Sequence, residues 1–204
     1  MITDDPADAP NIDLEDLWRR VREHLNPIDD QALGVVRVGM TDADTKPWAQ
    51  TNDGEDKVNL TLETKPDQLE LNLVGWKEMQ SEALKDWLQS VRGENVVNGL
   101  DGYEVVAFAR RAYKKTPTSR PWWQDETIVE LGRCSAAEYN TAWAVSTKAG
   151  MKSPKEEKPA FHLRRTWSWH QATQLGDELP NALAVEVQAL LPILREIWSR
   201  PVPS

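Results

Sequence analysis

The chain has 204 residues, with 24 Lys and Arg against 33 Asp and Glu for a net charge of −9, and 40% of its residues are apolar. That is long enough to bury a substantial core, and interspersed charges of both signs exclude a disordered polyelectrolyte. The single cysteine, Cys134, excludes an intramolecular disulfide and a cysteine-rich zinc site, and no stretch reaches the roughly 18 consecutive apolar residues of a membrane helix. Met1 to Pro10 holds three aspartates and no apolar run, so no export signal is read there. The expected setting is the cytoplasm, without membrane association.

Residues 1–12 read as a disordered acidic tail, and 13–204 as a single compact α+β domain. A helix opens at Asp13, with Asp16 three residues on in a capping arrangement. Leu14, Leu17, Trp18, Val21 and Leu25 form its apolar stripe, and Asn26-Pro27 ends it. Gly34 to Met40 reads as a buried strand, followed by a long polar loop from Thr41 to Lys57. A hairpin then alternates Val58, Leu60 and Leu62 with Asn59, Thr61 and Glu63, and Leu69, Leu71 and Leu73 with Glu70 and Asn72. Lys65-Pro66-Asp67-Gln68 supplies its turn. One face is leucine core and the other is expected to be wet.

A covering helix is expected over 78–92, with Ala83, Leu84, Trp87, Leu88 and Val91 on one side and Gly93 ending it. Residues 94–102 read as a loop. Tyr103 to Ala112, apolar on both faces, reads as a central strand. Lys114 to Glu126 reads as a second long loop and Thr127 to Leu131 as a short strand. Ser135 with Glu138 makes a capping box for a further helix, and Gly150 to Pro159 has the composition of a mobile connector. Phe161 to His170 reads as a strand. Its polar face, His162, Arg164, Thr166, Ser168 and His170, is expected to be solvated. The last helix begins near Pro180, with Leu183, Val187, Leu190, Leu191, Leu194 and Trp198 inward, and Pro192 is expected to kink or split it.

The fold class that follows is α+β: a mainly antiparallel sheet covered by helices on one face. Strand, long loop, strand, strand and helix occur in 34–92 and again in 103–198. Lys46-Pro47-Trp48 and Arg120-Pro121-Trp122 stand at matching places in the two loops. This shared plan reads as an internal duplication.

Ten tryptophans in 204 residues is several times the usual share, and charge is uneven. Residues 1–104 hold 10 Lys and Arg against 23 Asp and Glu (−13), and residues 105–204 hold 14 against 10 (+4). A dipolar surface favours oriented docking. The segment after the central strand joins Arg110, Arg111, Lys114, Lys115 and Arg120 to Trp122 and Trp123, with Trp48 in the matching loop. Trp and Arg dominate binding hot spots. These eight residues are the candidate binding surface for a protein partner or a second copy of the chain. Interleaved cations and aromatics also suit single-stranded nucleic acid, where bases stack and phosphates are neutralised. The acidic half argues against that.

Catalytic signatures are sparse. There is no phosphate loop, no Gly-x-Gly-x-x-Gly and no Gly-x-Ser-x-Gly elbow. With three histidines and one cysteine, no transition-metal site or other cofactor is expected. Ser168 and His170 share a strand face, about 7 Å apart, which is long for a nucleophile and its base. Asp42, Asp44, Asp53, Glu55 and Asp56 give an oxygen-rich loop without the spacing of a calcium loop. Glu63-Thr64-Lys65, an acid, a spacer and a lysine at a strand end, resembles the triplet of metal-dependent nucleases of the PD-(D/E)xK type. That resemblance implies magnesium at Glu63 and a water-assisting role for Lys65. The upstream Pro-Asp pair is missing, and no obvious acid on a neighbouring strand replaces it. The reading that results is a non-enzymatic binding or accessory protein of a cytoplasmic complex. A magnesium-dependent nuclease or phosphate-chemistry enzyme using Glu63 and Lys65, and a single-stranded nucleic-acid binder, are the alternatives.

Overall fold

The computed structural model describes residues 12–34, 36–40, 47–51, 58–75, 78–113, 122–132 and 156–199. Of these, 36–40, 47–51, 78–81, 107–113, 122–132 and 156–160 are described by their backbone alone. The expected acidic tail, the acids of the 42–56 loop, Lys114, Lys115, Arg120, Cys134 and the helix at Ser135 lie outside the described residues.

The elements in chain order are α1 (Leu14–Glu23), α2 (Pro27–Leu33), β1 (Val36–Met40), β2 (Pro47–Thr51), β3 (Asn59–Thr64), β4 (Gln68–Val74), α3 (Glu78–Leu88), α4 (Val91–Gly99), β5 (Tyr103–Tyr113), β6 (Trp122–Gly132), β7 (Glu156–Ser168), α5 (Trp169–Leu175) and α6 (Leu179–Ser199). The class is α+β with antiparallel strands. The backbone gathers into two compact units.

The first unit takes α1, α2, β1 to β3, Gln68–Asn72 of β4, the last three residues of β7, α5 and α6 as far as Glu196. Its strands run in the order β1-β2-β3-β4. Asp13 caps α1 by accepting from the backbone N–H groups of Glu15 and Asp16 at 3.0 and 3.1 Å. The expected stripe Leu14, Leu17, Trp18, Val21 and Leu25 is buried. Asn26-Pro27 closes α1 and also opens α2. The Asn26 side chain accepts from Asp29 N–H at 2.9 Å, and Pro27 sits where a missing N–H costs nothing. Arg195 reaches from α6 to Asp29 at 2.7 Å, and Arg22 pairs with Asp30 at 2.5 Å. On α6, Leu183, Val187, Leu190, Leu191 and Leu194 are buried as expected. Pro192 does not split the helix, which is continuous over 21 residues. Pro47–Thr51, expected as loop, is strand β2.

The second unit takes the end of β4, α3, α4, β5, β6 and β7 as far as Arg165. Its strands run β7-β5-β6, so β5 is central, as its two apolar faces imply. The helix expected over 78–92 ends at Leu88. Ser90 starts a second one by accepting from Gly93 N–H at 3.0 Å. Gly93 therefore stands in the first turn of α4 and terminates nothing. Leu84, Trp87 and Leu88 are buried, but Val91 is 76% exposed because α3 has ended before it. Strand β6 begins at Trp122, earlier than expected, and β7 begins at Glu156 inside the expected connector. β7 ends at Ser168, so Trp169 and His170 are helical.

Within the two basic-Pro-Trp triplets, the strand starts at the second residue of the first, Pro47, and at the third of the second, Trp122. Pro47 and Trp122 each begin the returning strand of a hairpin, opposite Met40 and Tyr113. Among the described residues the first segment holds two hairpins and the second a hairpin and one further strand.

Candidate functional site

The expected docking residues fall in two places. β5 and β6 pair without interruption from Phe108↔Thr127 to Tyr113↔Trp122. The successive partners are Arg110↔Asp125, Arg111↔Gln124, Ala112↔Trp123 and Tyr113↔Trp122. Four of the eight candidates thus occupy four consecutive rungs at one end of one hairpin. Lys114, Lys115 and Arg120 belong to the stretch that joins its strands. Between Arg110 and Trp123 the sequence carries five cations and no acid. Trp48 belongs to the other unit, in β2, where its register partners are Gly39 and Glu63.

Apart from the docking residues, the polar face of the β3–β4 hairpin, which the alternation predicts to be wet, is buried. Lys65 N–H donates to Gln68 O at 2.8 Å and closes a two-residue turn. In uninterrupted antiparallel pairing this sets Glu63 opposite Glu70 and Thr61 opposite Asn72. Asn59 and Asn72 are 1% and 0% exposed, and the Glu63 and Glu70 side chains 15% and 6%. Lys65 Nζ donates to Glu63 Oε2 at 2.7 Å and lies 3.8 Å from Glu70 Oε2. Thr61 Oγ1 donates to Glu63 Oε1 at 3.3 Å, and Gln68 Nε2 to Glu70 Oε1 at 2.7 Å. Asn72 Nδ2 makes a long 3.5 Å contact to Glu70 Oε2. The Oδ1 atoms of Asn59 and Asn72 have no hydrogen-bond partner, an arrangement that costs roughly 1–3 kcal/mol for each buried acceptor.

Sequence reasoning reached Glu63 and Lys65 but missed Glu70 as their neighbour. The signal was the turn itself: a two-residue turn between Lys65 and Gln68 fixes which acid faces which. Among the described residues no group of three His, Cys, Asp or Glu side chains is placed to hold a metal ion. No protein-family model matches this chain, and no curated protein matches it.

Trp169 holds the turn in place. Its indole N–H donates to the carbonyls of Lys65 and Pro66, both at 3.1 Å, and its backbone N–H approaches Asp67 O at 3.4 Å. Trp169→Phe keeps one aromatic ring and removes the donor together with the pyrrole half of a buried indole. The carbonyls sit at a wet turn and can rehydrate, so the lost packing adds to the lost hydrogen bonds and a loss of about 2 kcal/mol is expected in thermal unfolding.

The strand face around His162 differs from expectation. His162 and Arg164 are buried. Arg164 Nε donates to Glu104 Oε1 at 2.9 Å and its Nη2 lies 2.7 Å from the same oxygen, across the β5–β7 pair in which the two residues are direct partners. Ser168 and His170 do not share a strand face. Ser168 caps α5, accepting from Gln171 N–H at 3.2 Å, while Gln171 Oε1 accepts from Ser168 N–H at 2.9 Å. His170 lies exposed on the helix. With the hydroxyl committed to a cap, the serine-histidine pair has no catalytic geometry. Among the described residues, no helix is long and apolar enough to cross a membrane.

Proposed function

We infer that this is a non-enzymatic binding or accessory protein of a cytoplasmic complex, docking through the end of the β5–β6 hairpin. The observation that carries the reading is the register that gathers Arg110, Arg111, Trp122 and Trp123 into four adjacent rungs. Among the described residues β6 stands at the end of the strand order, where an edge offers backbone groups to an incoming segment. Asp125 and Glu157 stand opposite Arg110 and Arg111 on the neighbouring strands, and it is the acid-free run of Lys114, Lys115 and Arg120 that favours an acidic partner, whether another protein or the acidic first half of a second copy.

The test is the full-length double variant Trp122→Ala/Trp123→Ala. Its thermal midpoint should stay at the wild-type value. Retention of specific partners from cytoplasmic extract, measured by quantitative mass spectrometry, or self-association by sedimentation, should fall by about tenfold or more. Unchanged retention and self-association, or unfolding of the variant, ends the reading. A labelled single-stranded oligonucleotide serves as the control. Binding to it that falls steeply with salt and vanishes in the variant would replace the protein partner with nucleic acid.

A further inference from the structure

The outer edge of β6 is not uniform along its length. From Trp122 to Thr127 the strand pairs with β5 rung by rung. Beyond Thr127 the register slips twice. Phe108 and Ala107 face Thr127 and Val129, and Val106 and Val105 face Glu130 and Gly132. Ile128 and Leu131 are therefore extra residues on β6, and such bulges bend a strand and spoil its edge for further pairing. At the other end Pro121 precedes Trp122 and has no N–H to donate. A regular edge is left over Trp122–Thr127, with no strand on its outer side among the described residues.

Charge decides which strand fits that edge. β6 holds Asp125, Glu126 and Glu130 and no cation, while the stretch before it holds Lys114, Lys115 and Arg120 and no acid. Two β6 strands laid antiparallel bring the cationic stretch of each copy toward the Glu130 end of the other. Laid parallel in register, they would set acid beside acid. Antiparallel pairing about a two-fold axis preserves the sheet faces, so one residue lies opposite its own copy at the axis. Centred on Asp125 or Glu126, the pairing opposes like charges there. Centred on Thr127 it runs into the bulge at Ile128, and centred on Trp123 it runs into Pro121. Centred on Gln124 it sets Trp123 against Asp125 and Trp122 against Glu126, with no acid opposite an acid.

We propose that, given docking at this hairpin, its occupant is a second copy of the chain, joined by antiparallel β6–β6 pairing about a two-fold axis at Gln124. The sheet then continues from one copy into the other, and the bulges limit the junction to its regular part.

Sedimentation equilibrium of the full chain should show monomer and dimer in exchange. Gln124→Glu and Gln124→Lys each put like charges at the axis, so each should weaken the dimer by about threefold or more. Mixed in equal amounts, the two variants should associate at least as tightly as wild type. Within one chain Gln124 faces Arg111, a partner that suits glutamate and repels lysine. An effect on the hairpin alone would separate the two variants, and mixing would rescue neither. Should the lysine variant fail to fold, amide exchange in wild type decides. Raising the protein concentration should slow exchange over Trp122–Glu126 and leave Ile128–Gly132 unchanged. A wild type that stays monomeric up to millimolar concentration overturns the second copy. A mixture no tighter than its components, or slowing confined to other segments, overturns it equally. Loss of partner retention in Trp122→Ala/Trp123→Ala beside a monomeric wild type would leave docking through the hairpin standing, with another protein as the occupant.

Discussion

Gly93→Ala is expected to destabilise the protein by about 3 kcal/mol, lowering the thermal midpoint by roughly 6–12 °C for a chain of this size. Helix propensity argues the other way, since alanine is favoured over glycine in a helix by about 1 kcal/mol. Sterics decide the sign. A Cβ at Gly93 would lie 2.0 Å from Trp87 O, 2.8 Å from Trp87 C and 3.2 Å from Leu88 Cα. These are backbone atoms and cannot rotate aside. The backbone there is pinned twice over: Trp87 is fully buried, and its carbonyl accepts from Ser90 Oγ at 2.6 Å and Ser90 N–H at 3.0 Å. Moving it away would draw the indole out of the core or break the cap of α4. Gly99→Ala is the matched control at the other end of the same helix, where a Cβ meets nothing within 4 Å. It should leave the midpoint unchanged or raise it slightly. Equal midpoints for wild type and Gly93→Ala would show that the turn between α3 and α4 is looser than described.

Gly93 also shows why part of the fold escapes sequence reading. Glycine after an amphipathic run is the usual sign of a helix end, and here it marks the close approach of one helix to the end of another. The signal for α4 was present in Ser90, whose hydroxyl accepts from Gly93 N–H. Asn26-Pro27 illustrates the same ambiguity, because the pair that stops α1 is also the cap and first residue of α2. Elements whose burial follows a single period were legible: the stripe of α1, the inward face of α6 and the β3–β4 turn. The polar row Asn59, Thr61, Glu63 was legible as a strand face but not as a buried one. Alternation reveals which side chains share a face and is silent on what lies above it. The docking candidates were legible as a composition. The rungs that bring Arg110 and Arg111 to Trp122 and Trp123 depend on β6 starting at Trp122, and pairing register is a tertiary property.

Glu104→Ala is expected to cost about 2 kcal/mol, and Arg164→Met less than about 1. The asymmetry follows from where the charges sit. The Arg164 side chain is 10% exposed and that of Glu104 31%, so removing the acid leaves a guanidinium deep in the unit, whereas removing the base leaves a carboxylate that water can reach. Methionine also replaces the aliphatic stem of Arg164, so little packing is lost. Both Arg164 nitrogens converge on one oxygen of Glu104, across a direct β5–β7 pair, which makes the interaction specific to this register. Other interactions of Arg164 keep the cost of Glu104→Ala below that of exposing a fully isolated buried charge. Urea unfolding of the two single variants and the double variant measures the coupling directly. Glu104→Ala should be the weaker single variant, and adding Arg164→Met to it should restore stability. If the two single changes simply add, the pair is a surface contact, and the cross-strand partnership contributes nothing to holding β7 against β5.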